Sequence, residues 1–457
     1  MAADPCDTPV VRSLVVAFAL LVAGGRLAAA ETIKEITVED AEKTTNDTVI
    51  LIANIEVGDD WSPQVEEQVK TNLNSSGLFK SVEVFWENVA GGVRVRILVK
   101  DKHSWVIAPT FYNQPTNTGG GVGFGENNLF GLNQKLLLYA QIATGDSFFI
   151  GAWVIPSIGG SRFYAQFDTL LKSSRNIEYA PPGDYVSNPE KVRESRIHYL
   201  NGGVKLGVEL FHGVKLDGRL RGAKVSYPSA KYVGSRTPEQ DLGISAGDPI
   251  PAPGKEGADI STEWTFSIDN RANYYGVTKG KKYQLSYERA LPELGSDFHY
   301  YYTGLSLYQG WQVLDRHNLV LKTSAGYGHH LPFQQEYRTG GTTMRGYKND
   351  QFRGDFKASA NAEYSFPLIG LFGLSMRGLM FWDAAYTTFL TDSNPERNYL
   401  PGSRRDQQDM LAPLKNSVGV GTRFYLRQIV LPLLGVDFGY GLEARDFQLY
   451  LAIGLTD

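Results

Sequence analysis

From Trp105 onward, apolar and polar residues alternate in segments of about ten, separated by clusters of Gly, Asn, Asp and Pro. Successive side chains on a strand point to opposite faces, so the alternation predicts strands with one apolar and one polar face. In the last segment Phe447, Leu449, Leu451, Ile453 and Leu455 share one side, and Asp446, Gln448, Tyr450, Ala452 and Gly454 the other. About sixteen such segments fit, an even number that suits a single-chain barrel in a membrane. If the first strand leaves the periplasm, the long links at 173–194, 228–258, 329–354 and 387–414 all fall outside. Short links such as Asn128–Gly131 then fall on the periplasmic side, the asymmetry expected of outer-membrane barrels. A large soluble β-sandwich or β-solenoid is the competing fold; the region has no fixed repeat period to support it.

Residues 31–102 follow a different pattern. Val49, Leu51 and Ile55 predict a short strand, and Ser62-Pro63 opens a helix with a capping residue followed by proline. That helix carries Val65, Val69 and Leu73 on one face and ends at Ser75-Ser76-Gly77. Two alternating strands, Ser81–Trp86 and Val93–Val99, join through Ala90-Gly91-Gly92. The prediction is a small α+β domain with one amphipathic helix on a short sheet.

Ahead of it, Arg12, the apolar run Leu14–Ala23 and the small residues Ala28-Ala29-Ala30 have the layout of a secretory signal. The run falls short of the roughly 20 residues a transmembrane helix needs. The expected organisation is a signal peptide over 1–30, a periplasmic domain over 31–102 and an outer-membrane β-barrel over 103–457. The single cysteine, Cys6, lies in the signal, which removes disulfides and thiol chemistry from the exported chain. Net charge is −4 and no Lys/Arg block stands out, so nothing supports nucleic-acid binding. Aromatics and glycine are plentiful, and a negative mean hydropathy does not argue against a membrane barrel, whose two faces alternate.

Several motifs follow one another in the barrel region. They are Gly340-Gly341-Thr342-Thr343-Met344-Arg345-Gly346-Tyr347, then Asn361-Ala362-Glu363-Tyr364-Ser365-Phe366-Pro367, then Phe381-Trp382-Asp383-Ala384-Ala385, then Gly419-x-Gly421-x-Arg423, then the terminal strand. Upstream stand Asp269-Asn270-Arg271 and Gly280. In this order they resemble the BamA/TamA outer-membrane assembly superfamily, whose signature is the arginine-glycine-aromatic loop. Gly77-Leu78-Phe79 before Val82-x-Val84 resembles the helix-to-strand corner of that family's periplasmic POTRA domains. Met344 stands where valine or isoleucine is usual, Ala385 where glycine is common, and Leu-Thr-Asp where the chain would end in an aromatic.

The resemblance implies that the Arg345 loop folds into the lumen and that Arg345 pairs with Glu363 and Asp383, with Gly346 and Tyr347 completing a latch. Two carboxylates can satisfy the fixed fork of guanidinium donors. It also implies a seam between the first and last strands that opens to pair with a client strand. Pro109, which cannot donate to a ladder, and Gly454 are the candidate seam residues. The implied partners are outer-membrane lipids, unfolded client proteins, and accessory periplasmic or lipoprotein partners; no cofactor is implied. A passive pore and a secretion pore remain alternatives.

Enzyme readings are weaker. Gly243-Ile244-Ser245-Ala246-Gly247 matches a nucleophile elbow, but that motif needs a strand before it and a helix after it. Adjacent His329 and His330 lack a metal-ligand spacing, so no metal site is expected.

Overall fold

The computed structural model describes residues 31–114, 116–179, 189–234, 244–274, 276–371, 374–391, 393–399, 414–426 and 432–453. The expected signal peptide, Gly243 and Gly454 lie outside the described residues. The chain forms two compact units, one up to Ser104 that takes in Phe130–Asn133, the other comprising the remainder.

The first unit contains β1 (Glu31–Glu39), α1 (Asn46–Ala53), β2 (Asp60–Trp61), α2 (Pro63–Ser75), β3 (Phe79–Val89) and β4 (Gly92–Asp101), with sheet order β2-β1-β4-β3. Ser62 caps α2 as expected, its hydroxyl accepting from the Val65 N–H at 3.3 Å. The short strand expected around Val49 is instead helix α1, so the unit has two helices. Thr48, Val49, Ile50 and Ile52 are β-branched and read locally as strand. The Thr45 cap and burial of Val49 and Ala53, four apart, override that preference. Ile33, Val49, Leu73, Val93, Val95 and Ile97 form the centre of its core.

The second unit begins with β5 (Trp105–Gln114), β6 (Asn117–Leu129), β7 (Gln134–Ala143) and β8 (Asp146–Ile155). Longer strands β9 (Phe163–Tyr179), β10 (Lys191–Phe211) and β11 (Val214–Tyr232) follow, then β12 (Gly257–Asp269), the short β13 (Ala272–Tyr274) and β14 (Val277–Ala290). After β15 (Tyr301–Leu314) and β16 (His317–His329), a long loop holds β17 (Tyr337–Thr339) and β18 (Phe352–Gly354). The wall ends with β19 (Phe356–Leu371), β20 (Leu374–Thr388), β21 (Lys415–Leu426), β22 (Pro432–Gly441) and β23 (Asp446–Ile453).

Sixteen antiparallel strands, β5–β12, β14–β16 and β19–β23, close into a barrel where β23 pairs with β5. Alternation decides which side faces lipid. On β20, Met380 and Trp382 are exposed, while Leu379, Phe381 and Asp383 are buried. On β23, Phe447 and Leu449 are exposed and Tyr450 is buried, as its sequence predicted. No helix among the described residues is long and apolar enough to span a membrane; the crossing is made by strands.

The strand ends that flank all four long links lie opposite the start of β5. The first is shorter than expected, because the β9–β10 ladder continues to the pair Tyr179 and Lys191. There Ile177, Tyr179, Arg193 and Ser195 are all buried, so the two-faced alternation that marks a membrane segment is lost.

Candidate functional site

The β16–β19 loop turns on glycine. Gly340 and Gly341 have φ of 123° and 65°, and a Cβ on Gly340 would lie 2.1 Å from the Lys348 carbonyl oxygen. The chain then makes one turn of 3-10 helix, Gly341–Thr343, and presents Arg345 to the barrel wall.

Arg345 is buried and its donors are taken up by the wall. Its backbone N–H and Nε donate to Asp383 Oδ2 at 3.1 and 3.0 Å, and Nη2 donates to Asp383 Oδ1 at 2.9 Å. Nη1 donates to Glu363 at 3.4 Å and to Asp437 at 3.3 Å. The guanidinium also lies 3.3 Å from the centroid of the Phe381 ring. Burial disfavours the charge, yet the hydrogen bonds and charge of Asp383, with Glu363 and Asp437 behind it, raise the Arg345 pKa above its ordinary value. The structure thus brings together Arg345, Glu363 and Asp383, the trio implied by the resemblance, and adds Asp437 on β22.

Asp437 explains a motif that sequence reasoning left without a role. Gly421 is its register partner, and a Cβ there would lie 2.0 Å from Asp437 Oδ1. Gly419 similarly leaves room for Phe381, whose Cζ would lie 2.2 Å from an added Cβ. Arg423 then binds Asp437 through both Nη atoms, at 2.6 and 2.8 Å. Gly-x-Gly-x-Arg therefore houses Phe381 and Asp437, the groups beneath and beside the Arg345 guanidinium. The available signal was alternation: Asp437 falls on the inward register of β22.

Gly346 and Tyr347 fasten the loop further along the wall. Gly346 has φ 95°, and a Cβ there would lie 2.4 Å from the Gly441 nitrogen. Its N–H donates to the Tyr450 hydroxyl at 3.1 Å, and that hydroxyl donates to the Tyr347 carbonyl at 2.9 Å. The Tyr347 hydroxyl donates to the Glu443 carboxylate, which also accepts from the Asn416 N–H at 2.8 Å. Met344 and Ala385, the two internal departures from the family pattern, pack in one buried cluster with Tyr347, Phe352 and Ala444. On the other side, Asn349 Nδ2 donates to Gln114 Oε1, at the end of β5, at 2.8 Å.

A second set of charges ties the loop to its neighbours. Glu336 accepts from Arg353 at 2.9 Å and from Arg397, and Arg397 also donates to Glu178 at 2.8 Å. Glu178 holds Arg193 as well, and Phe333 lies beneath Arg353 and Arg397. These partners lie on four separate segments, which is why sequence reasoning missed them.

The remaining candidates lie apart from Arg345. Asp269 and Arg271 pair with each other at the β12 turn, at 2.9 Å for Nε and Nη2. Pro109 is in β5 opposite Val122 of β6. The barrel closes at Asn113–Leu451, Tyr112–Ala452 and Phe111–Ile453, three pairs among the described residues. Ser245 sits in a turn, its N–H bonded to Asp248, and the rings of His329 and His330 stack at 3.9 Å. No group of three or more potential metal ligands occurs among the described residues.

The Omp85 superfamily domain matches residues 128–450. Among solved structures, BamA from Haemophilus ducreyi lacking POTRA domains 1–3 is 16% identical, covering 93% of this chain and 84% of that one at a TM-score of 0.62. CdiB from Acinetobacter baumannii is 14% identical, covering 93% and 74% at 0.61. CdiB from Escherichia coli is 12% identical, covering 93% and 77% at 0.62. At such identities these structures share the fold. A closed barrel of sixteen strands, with the Omp85 domain matching well over half of its sequence, makes this chain an outer-membrane member of the Omp85 superfamily.

Proposed function

We propose that this barrel assists the insertion or translocation of other proteins at the bacterial outer membrane, through a seam between β5 and β23 that the Arg345 loop controls. The observation that carries this reading is that one loop grips both sides of the closure. It holds Tyr450 of β23 through Gly346 and Tyr347, and Gln114 of β5 through Asn349.

Pro109 lies in β5, two residues before the closing pair Phe111–Ile453, and proline donates no hydrogen bond to a ladder. Once the seam opens, its freed edge can accept a client strand through backbone hydrogen bonds, the chemistry of strand addition. In this reading the first unit receives clients before they reach the barrel, and its β3 edge supplies a second strand for pairing. Outer-membrane lipids surround the wall, and accessory periplasmic or lipoprotein partners act with the first unit.

The test is reconstitution in lipid vesicles, following the folding rate of an unfolded test barrel by its heat-modifiable migration alongside single-channel conductance. Wild type is expected to speed folding, and Arg345→Ala to lose most of that acceleration at similar conductance. A steady open pore without insertion, unchanged by Arg345→Ala, would instead identify a passive pore.

A further inference from the structure

A cavity of about 600 Å³ opens in the lumen between β14, β15, β16 and β19–β21, toward the end where β5 begins. Its lining includes Arg271, Lys322, Arg377 and Arg423 but only two carboxylates, Asp269 and Glu363. Asp269 is engaged by Arg271, Glu363 reaches Arg345, and Arg423 is held by Asp437. Lys322 and Arg377 make no ion pair among the described residues.

Arg377 is the unusual member. It is 3% exposed, and Nη2 donates to the Ser365 carbonyl and hydroxyl oxygens at 3.2 and 2.9 Å. Its buried Nε has no hydrogen-bond partner. Its register partner across β20–β21 is another arginine, Arg423. Asp437 meets the charge of Arg423, and no carboxylate among the described residues pairs with Arg377. The surroundings are shaped to hold Arg377 in place: Gly276, at φ 77°, lies so close that a Cβ would approach Arg377 Cδ to 2.9 Å and Tyr425 Cζ to 2.7 Å.

We propose that this cavity is an anion site centred on Arg377, with Lys322 as the second cation, and that it takes a carboxylate of an extended polypeptide. A carboxylate matches the planar guanidinium fork and supplies the counter-charge that Arg377 lacks among the described residues. The polar lining, with Thr278, Asn318 and Ser365, suits a peptide and not an acyl chain, and the volume falls in the range of ligand sites. The identification of the ligand as polypeptide rests on the proposed function; the excess of cations does not.

The test uses the full chain in detergent micelles and an N-acetylated tetrapeptide carrying a neutral dye, with either a free or an amidated C-terminus. The free acid is expected to bind about tenfold more tightly than the amide, the increment of one charge-assisted hydrogen bond. Arg377→Gln, which keeps most of the side-chain volume, is expected to remove that preference, and Lys322→Ala to reduce it, in barrels that retain heat-modifiable migration. Equal binding of acid and amide, a preference unchanged in Arg377→Gln, or binding of inorganic phosphate without the peptide would overturn the site. Client insertion by wild type is read separately in vesicles, so loss of the peptide preference with insertion intact rejects this site alone. Absence of insertion with the preference intact rejects only the assembly role.

Discussion

Arg345 and Arg377 are buried arginines lining one lumen, and both involve β20. Arg345 comes from a loop and meets Asp383, Glu363 and Asp437, with Phe381 beneath it. Arg377 belongs to the wall, finds only Ser365, and faces Arg423 across the ladder. A buried charge is strongly destabilising when its partners are missing, so fully satisfied and unsatisfied guanidiniums in one barrel point to different work. The first arrangement holds a loop against the wall; the second leaves binding capacity open.

Removing the main partner of the first site is expected to have the largest effect. Asp383→Ala leaves Arg345 buried without its principal carboxylate, at a cost of about 3–5 kcal/mol. Limited proteolysis should then cut the 330–355 loop in intact barrels, whereas wild type resists. Gly346→Ala should loosen the same loop by about 2 kcal/mol, because it forces a side chain into positive φ and against Gly441. The same protease assay reports it.

The comparison sharpens when each arginine is replaced by methionine. Arg345→Met strands Asp383 and Glu363, while Asp437 keeps Arg423, and should lower the barrel's unfolding temperature. Arg377→Met removes a charge with no carboxylate partner and should leave that temperature unchanged or raise it by about 1 kcal/mol equivalent. Equal losses in both variants would erase the distinction.

The smallest effect concerns pH. Burial raises the Glu443 pKa, but the Asn416 N–H and the Tyr347 hydroxyl outweigh it and hold the carboxyl below its ordinary 4.5. A folded pKa below the unfolded value means that this contribution is complete above pH 4.5 and is lost as pH falls through the folded value. Protease sensitivity of the loop should therefore rise on acidification below pH 4.5, and Glu443→Gln should flatten that part of the profile.

The sequence exposed these features unevenly, for physical reasons. Period-two alternation survives wherever one face meets lipid and the other the lumen, so all sixteen wall strands were legible. It fails where Ile177, Tyr179, Arg193 and Ser195 are buried together, and there the first long link was drawn too wide. Helix α1 was hidden because Thr48, Val49, Ile50 and Ile52 favour strands locally and only packing and the Thr45 cap reverse them. Arg345, Glu363 and Asp383 emerged from an ordered set of motifs. Asp437, Tyr450, Glu443 and Gln114 did not, because each meets the loop through barrel closure and carries no local signature. Arg377 stood in no motif, and its lack of a carboxylate could be recognised only after β20 and β21 were placed in register.

The most direct test of the seam is to lock it. Asn113 and Leu451 are register partners across the closure, and the only native cysteine is Cys6. Asn113→Cys combined with Leu451→Cys should form a disulfide in vesicles. Client folding should stop in the oxidised barrel and return on reduction, while each single variant stays active. Undiminished client folding with the crosslink fully formed would contradict an opening between β5 and β23.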